Sequence, residues 1–340
     1  MKKVSIVLLV LLILMGCGTK VPVDPEDPDD EVVVPPEKPV VEELVYSVFN
    51  GSKVKNHQYQ AIAVMIENSP AARPHVGVGL ADIVYEVAVD NWQVSRYLAI
   101  FQSAFPDKIG PICSARIPFV KIEMEWMLPF VHYGAAATGL GNAKALIQKV
   151  DWPIRFDGVS GTNDDYFFRD SKRSAPHNAF FNAQDAKEKV PVLTYSEHFK
   201  FNDKPSTSEI SGEFLRLNYS SVNNVSYKFD VDKMKYLRFI NDDPMMDAYT
   251  NTQVAVTNII LQYAPHRAVE SVNYVLVDFL GTGKAEFFIN GKYILGTWKK
   301  DSDTEITKFY DETGSELVLM PGNTWIQLIH SKVQVSTIDS

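Results

Sequence analysis

Between Ala61 and Arg116, apolar runs repeatedly break off at charged or amide side chains, and this interval constrains the fold more than any other stretch. Ala61–Ile66 stops at Glu67 and Asn68, while Ala81–Asp90 carries Asp82, Glu86 and Asp90. The run through Phe101 follows Arg96, and the run from Ile109 stops at Ser114 and Arg116. Short apolar runs rich in β-branched residues read as buried strands. Polar residues at their ends then collect on one rim of a sheet, where a rigid scaffold presents functional groups. That rim is the candidate site.

The 340 residues are 46% hydrophobic and 22% charged, enough for two domains with real cores. The formal charge of −9 is concentrated near the start. Residues 18–44 hold nine acids against Lys20 and Lys38, a net −7, and Met1–Cys17 carries +2. The remaining −4 leaves the folded part without the broad basic surface that nucleic acid requires.

Lys2 and Lys3 precede an apolar run, Val4–Leu14, which ends in Leu14-Met15-Gly16-Cys17. This segment resembles a bacterial lipobox, which implies cleavage before Cys17, lipidation of its thiol, and a membrane anchor facing outside the cytoplasm. The run is too short for the roughly 20 residues that span a bilayer. Residues 18–44, acidic and rich in Pro, read as an extended tether reaching at most ~80 Å. Only Cys113 then remains, so an intramolecular disulfide is excluded and packing must stabilise the mature chain.

Fold class reads as α+β. Residues 45–200 alternate strands with helices at Ile117–Met127, about Ala143–Val150, and from Asn182, an N-cap, to near Val190. Residues 208–335 read as a mainly antiparallel β domain, with Asn290-Gly291 and Thr313-Gly314 as hairpin turns.

Glu67, Asp82 and Glu86 are candidate carboxylates for glycan cleavage. Asp82 and Glu86 are four residues apart on one strand, roughly 13 Å, too far for a catalytic pair, so only a cross-strand partnership with Glu67 would serve. Structural bonding to Arg73, Arg96 or Arg116 is the plainer role. Arg169 to Arg173, followed by His177 and Asn178, gathers cations suited to holding an anion, or else a solvated loop stapled by ion pairs. Gly139-x-Gly141-x-x-Lys144 imitates a dinucleotide fingerprint but lacks its third glycine and reads as a helix-start turn. Histidine spacing shows no zinc pattern, and no cofactor or metal is expected. Trp298 and Trp325, with Tyr293 and Tyr310, suit either sugar stacking or core packing.

Several segments together, residues 66–86, 96–103, 109–116, 169–180, 296–300 and 321–326, resemble the YerB-like lipoproteins of Gram-positive bacteria. The family usually has arginine where this chain has Cys113. The resemblance implies an N-terminal α+β domain and a C-terminal β-rich domain of unknown function, with a shared polar rim and no established catalytic residue. On the matching positions the candidate ligand-binding residues are Asn68, Arg73, Arg96, Ser114, Arg116, Arg169, Arg173, His177 and Asn178. Three functions compete: binding of a polar or anionic wall glycan or peptide in an inter-domain cleft, a peptidoglycan-acting enzyme using rim carboxylates, and an envelope scaffold.

Overall fold

Side-chain alternation decides how the chain layers. The computed structural model describes residues 44–56, 59–269 and 274–337. The signal segment with Cys17, and the tether up to residue 43, lie outside these. The first strands are β1 (Ile62–Glu67), β2 (Ile83–Val89), β3 (Val94–Phe101), β4 (Phe130–His132) and β5 (Arg155–Asp157). β1 and β2 are buried throughout, as apolar runs must be when both sheet faces are covered. After them come β6 (Phe214–Ser220), β7 (Asn223–Asp230), β8 (Lys235–Ile240), β9 (Asn258–Tyr263) and β10 (Gly281–Ile289). The last are β11 (Lys292–Lys300), β12 (Lys308–Asp311), β13 (Thr324–Ile329) and β14 (Gln334–Ser336).

One ten-stranded sheet runs in the order β12-β11-β10-β9-β13-β2-β3-β1-β4-β5. It therefore draws strands from both halves of the chain, joined where β13 pairs in parallel with β2. Residues Glu43–Ser340 cluster as one compact unit. The N-terminal half is mixed, with a sheet and flanking helices, and the C-terminal half is mostly antiparallel strands, as expected from the sequence. β6, β7, β8 and β14 build a second sheet against one face of the first.

Two cores result from the strand period of two. Ala63 and Met65 of β1, and Leu98 and Ile100 of β3, pack with α1 (Ile117–Trp126) and α2 (Ala143–Ile147). Val64 and Ile66, and Tyr97 and Ala99, pack with Leu215, Leu217, Val225 and Tyr236 of the second sheet. Asn142 caps α2 by accepting from the Ala145 amide at 2.9 Å, and Asn182 caps α3 (Ala183–Ala186) through the Asp185 amide at 3.0 Å. Beyond α3 the expected helix tightens into a 3₁₀ turn, Lys187–Lys189. Asn290 and Gly291 take φ of +52° and +71° between β10 and β11, the left-handed pair a two-residue hairpin needs.

Candidate functional site

Strand direction gathers the polar ends. β1, β2, β4, β5, β9 and β13 point one way, and β3 runs back between β2 and β1. The carboxyl ends of six strands thus share one edge, the place where sheets containing parallel strands commonly bind ligands. Glu67 and Asn68 end β1, Asp90 follows β2, Arg96 lies near the start of β3, and His132 and Asp157 close β4 and β5.

The rim residues of the sequence divide into separate groups. In the first, Arg96 Nε donates to Glu67 Oε2 at 3.0 Å, its other nitrogens to the Ser114 carbonyl at 2.7 Å and Asp90 Oδ2 at 3.2 Å. Arg116 grips both Asp90 oxygens at 3.3 Å and lies over the Tyr274 ring. The chain Glu67–Arg96–Asp90–Arg116 is self-neutralising, and Glu67 also accepts from the Asn68 and Ser69 amides at 3.2 Å each.

Glu86 points to the other face, where the two sheets meet. Its Oε2 accepts from Arg238 at 2.7 Å, and its Oε1 from the Ser95 hydroxyl at 2.5 Å and from the amides of Asn68 and Asn223. Glu86 and Arg238 are both fully buried. Arg238 reaches the hydroxyls of Tyr227 and Tyr97 and lies 4.4 Å from the Trp325 ring centroid. Arg73 donates to Asn68 Oδ1 at 3.1 Å, Asn223 Oδ1 at 3.1 Å and the Val222 carbonyl at 3.2 Å. Asn68 and Arg73 therefore belong to this seam. Alternation along β1 and β2 puts Glu67 and Glu86 on opposite faces, which separates one of the two cross-strand pairs open to Glu67. Nearby, burial and the neighbouring Arg73 and Arg238 push the His75 imidazole down to about 3.

Asp82 sits at the far edge of the sheet. It accepts from the Gln102 and Ser103 amides at 2.7 and 2.9 Å, the Ser103 hydroxyl at 2.6 Å and Asn50 at 2.6 Å. The cationic loop is braced by its own contacts. Arg169 donates to Asn178 and to the Tyr133 hydroxyl, and Arg173 to the carbonyls of Ala72 and Pro74. His177 is half-buried, its amide bonded to the Ser174 carbonyl.

Beside the carboxyl edge lies a cavity of about 450 Å³ lined by Ser114, His132, Tyr133, Lys144, Arg155 and Asp157 among others. Asp157 Oδ1 accepts from the Gly134 amide at 2.9 Å and the Val159 amide at 3.1 Å. His132 Nδ1 lies 2.9 Å from the Gly134 carbonyl and 3.7 Å from Asp157, and burial pushes the imidazole down to about 4. It is therefore neutral near pH 7. Lys144 has no partner among the described residues, and Arg155 makes one long bond, 3.4 Å, to the Thr162 hydroxyl. The sequence reading had Ser114 here and missed Lys144, Arg155, His132 and Asp157. Lys144 stood in view within the Gly139-x-Gly141 motif, which does form a helix-start turn.

The aromatic expectation resolves toward the core for both tryptophans. Trp298 is 1% exposed and donates to the Tyr263 carbonyl, and Trp325 is 0% exposed between Tyr97 and Arg238. Cys113 is buried, which pushes its thiol well above the usual range. Among the described residues no group of three His, Cys, Asp or Glu side chains could hold a metal ion.

Two family descriptions match the sequence. Residues 49–196 match "Protein of unknown function (DUF3048) N-terminal domain" and residues 215–326 match its C-terminal domain. The chain belongs to this family. The sequence is also similar to a curated relative, "Putative lipoprotein YerB" of Bacillus subtilis, 28% identical over 279 residues, 79% of this chain and 80% of that protein. The crystal structure of the YerB protein from Bacillus subtilis superposes with a TM-score of 0.72 at 26% identity, covering 86% of this chain and 99% of that one. The matched stretches meet within one sheet in this DUF3048 protein.

Proposed function

We propose that the chain is a lipoprotein anchored through Cys17 on the outer face of the membrane, and that its body binds a polar, anionic envelope ligand, a wall glycan or peptide. The lipobox-like segment and the lipoprotein name of the Bacillus subtilis relative support the anchor. The ligand is placed in the cavity lined between residues 114 and 160 rather than between the two halves. One observation carries this reading: Lys144 and Arg155 line the cavity without a carboxylate partner, while Asp157, its acid, is occupied by backbone amides. Cations left in a concave, partly apolar setting favour an incoming carboxylate or phosphate. Arg169, bonded to the Tyr133 hydroxyl, adds charge at the margin.

Hydrolysis by rim carboxylates has less support. Glu67 and Glu86 are paired with arginines and Asp82 is bonded to amides and a hydroxyl, so each is already engaged within the protein rather than left open to a substrate. Titration calorimetry of the full chain in detergent micelles with purified muropeptides tests the binding reading. Heat of binding is expected, and Lys144→Glu with Arg155→Glu should abolish it. Absence of binding at millimolar ligand, or binding indifferent to both changes, sinks the proposal.

A further inference from the structure

On the other side of α2 lies a second depression, about 670 Å³, with an aliphatic floor of Ile117, Leu140, Leu146 and Leu276. Lys149 and Arg267 line it, and neither has a partner among the described residues. A third cation there, Lys121, is held by Asp303 at 3.1 Å. The one acid in the lining, Asp278, accepts from the Leu280 amide. Leu140, at the rim of this depression, is 70% exposed.

The helical period explains why the two depressions adjoin. Lys144, Ile147 and Gln148 line the cavity, and Ala145, Leu146 and Lys149 line the groove, so α2 and the turn after it form a ridge with a cation on each flank. A ridge of this kind is about 10 Å across, a span covered by roughly three or four residues of extended peptide.

We infer that cavity and groove are successive subsites for one extended ligand, and that this ligand is an acidic peptide with aliphatic side chains. The inference rests on the cavity being a binding site. Charge complementarity selects the acid: among the described residues lining the two depressions, Lys144, Arg155, Lys149 and Arg267 meet only two carboxylates, each already bonded to backbone amide. The floor selects peptide over glycan. Sugars pack on the broad flat faces of Trp, Tyr and Phe, whereas the groove has none of these in its lining and the cavity has Tyr133 alone.

Fluorescence polarisation of the full chain in micelles with labelled Glu-Leu repeats of two, four and eight residues tests this, beside a labelled tetragalacturonate. Affinity is expected to rise about tenfold or more from two residues to eight, because the second contact becomes intramolecular. Lys149→Glu should erase that rise, whereas Lys144→Glu should weaken every peptide. Length-independent affinity, or equal affinity for tetragalacturonate, overturns the inference while sparing the cavity. Failure of all probes to bind overturns both.

Discussion

The seam between the sheets and the basin along the carboxyl edge both hold arginine near acid, yet they differ in what satisfies the charge. In the seam, Arg238 meets Glu86, Tyr227 and Tyr97, and Glu86 meets Ser95, Asn68 and Asn223. The two buried charges thus find their partners within the protein, as burial demands. Around α2, Lys144, Lys149, Arg155 and Arg267 form no ion pair with a carboxylate among the described residues. Charge density alone thus fails to mark a site. Saturated charge holds a fold together, and unsaturated charge beside an opening is free to meet a ligand.

Among single substitutions, the largest effect should come from breaking the seam. Arg238→Met leaves Glu86 buried without its cation, and a loss of about 3–5 kcal/mol is expected, read as a lower urea midpoint. Adding Glu86→Gln should recover part of it; full additivity of the two changes would show that the seam is not a unit.

Acid should act next, through the core histidines. Burial lowers His75 and His198 to about 3, and His132, His266 and His330 to about 4. The unfolded chain then binds more protons below its histidine value near 6.5, so stability is complete above that pH and falls as pH drops toward 4. Each histidine contributes a slope of up to about 1.4 kcal/mol per pH unit. Glu123, buried and raised well above the usual range, works in the opposite direction and offsets part of this between about 4.5 and 6.5. Urea midpoints at pH 7 and pH 5 check the sign: equal values would mean that these rings gain solvent or partners.

Glu67→Gln should cost less, on the order of 1–3 kcal/mol, because Arg96 keeps Asp90 and the Ser114 carbonyl. Its digestion products from purified sacculi should match those of the unaltered chain. The smallest effect on stability belongs to the basin. Lys144→Ala with Arg155→Ala should shift stability by no more than about 0.5 kcal/mol each while removing ligand binding. A large stability loss there would erase the distinction between the two regions.

Much of the fold was legible because local rules agreed with the tertiary outcome. Ala61–Ile66 and Ala81–Asp90 lie within a residue or two of β1 and β2, and Asn142, Asn182 and Asn290-Gly291 cap or turn as their side chains and φ preferences dictate. The rim itself was visible as polar ends of apolar runs. Which rim residues are neighbours was not. Glu67 and Glu86 look equivalent in sequence, but strand parity sends one toward the helices and the other into the seam, where Arg238 arrives from 152 positions away. Lys144 and Arg155 carried no motif for binding, because an unpaired cation is defined by the acids that are absent from its surroundings.

Sequence alone determined the acidic, Pro-rich composition of residues 18–44, the lipobox-like segment ending in Cys17, and the strands and caps, since these depend on composition and on neighbours within a few residues. Tertiary structure decided that both halves share one sheet, that the rim carboxylates are already paired, and that the free cations flank α2. Pairing and desolvation are set by residues distant along the chain, and no local pattern encodes whom a charge will meet.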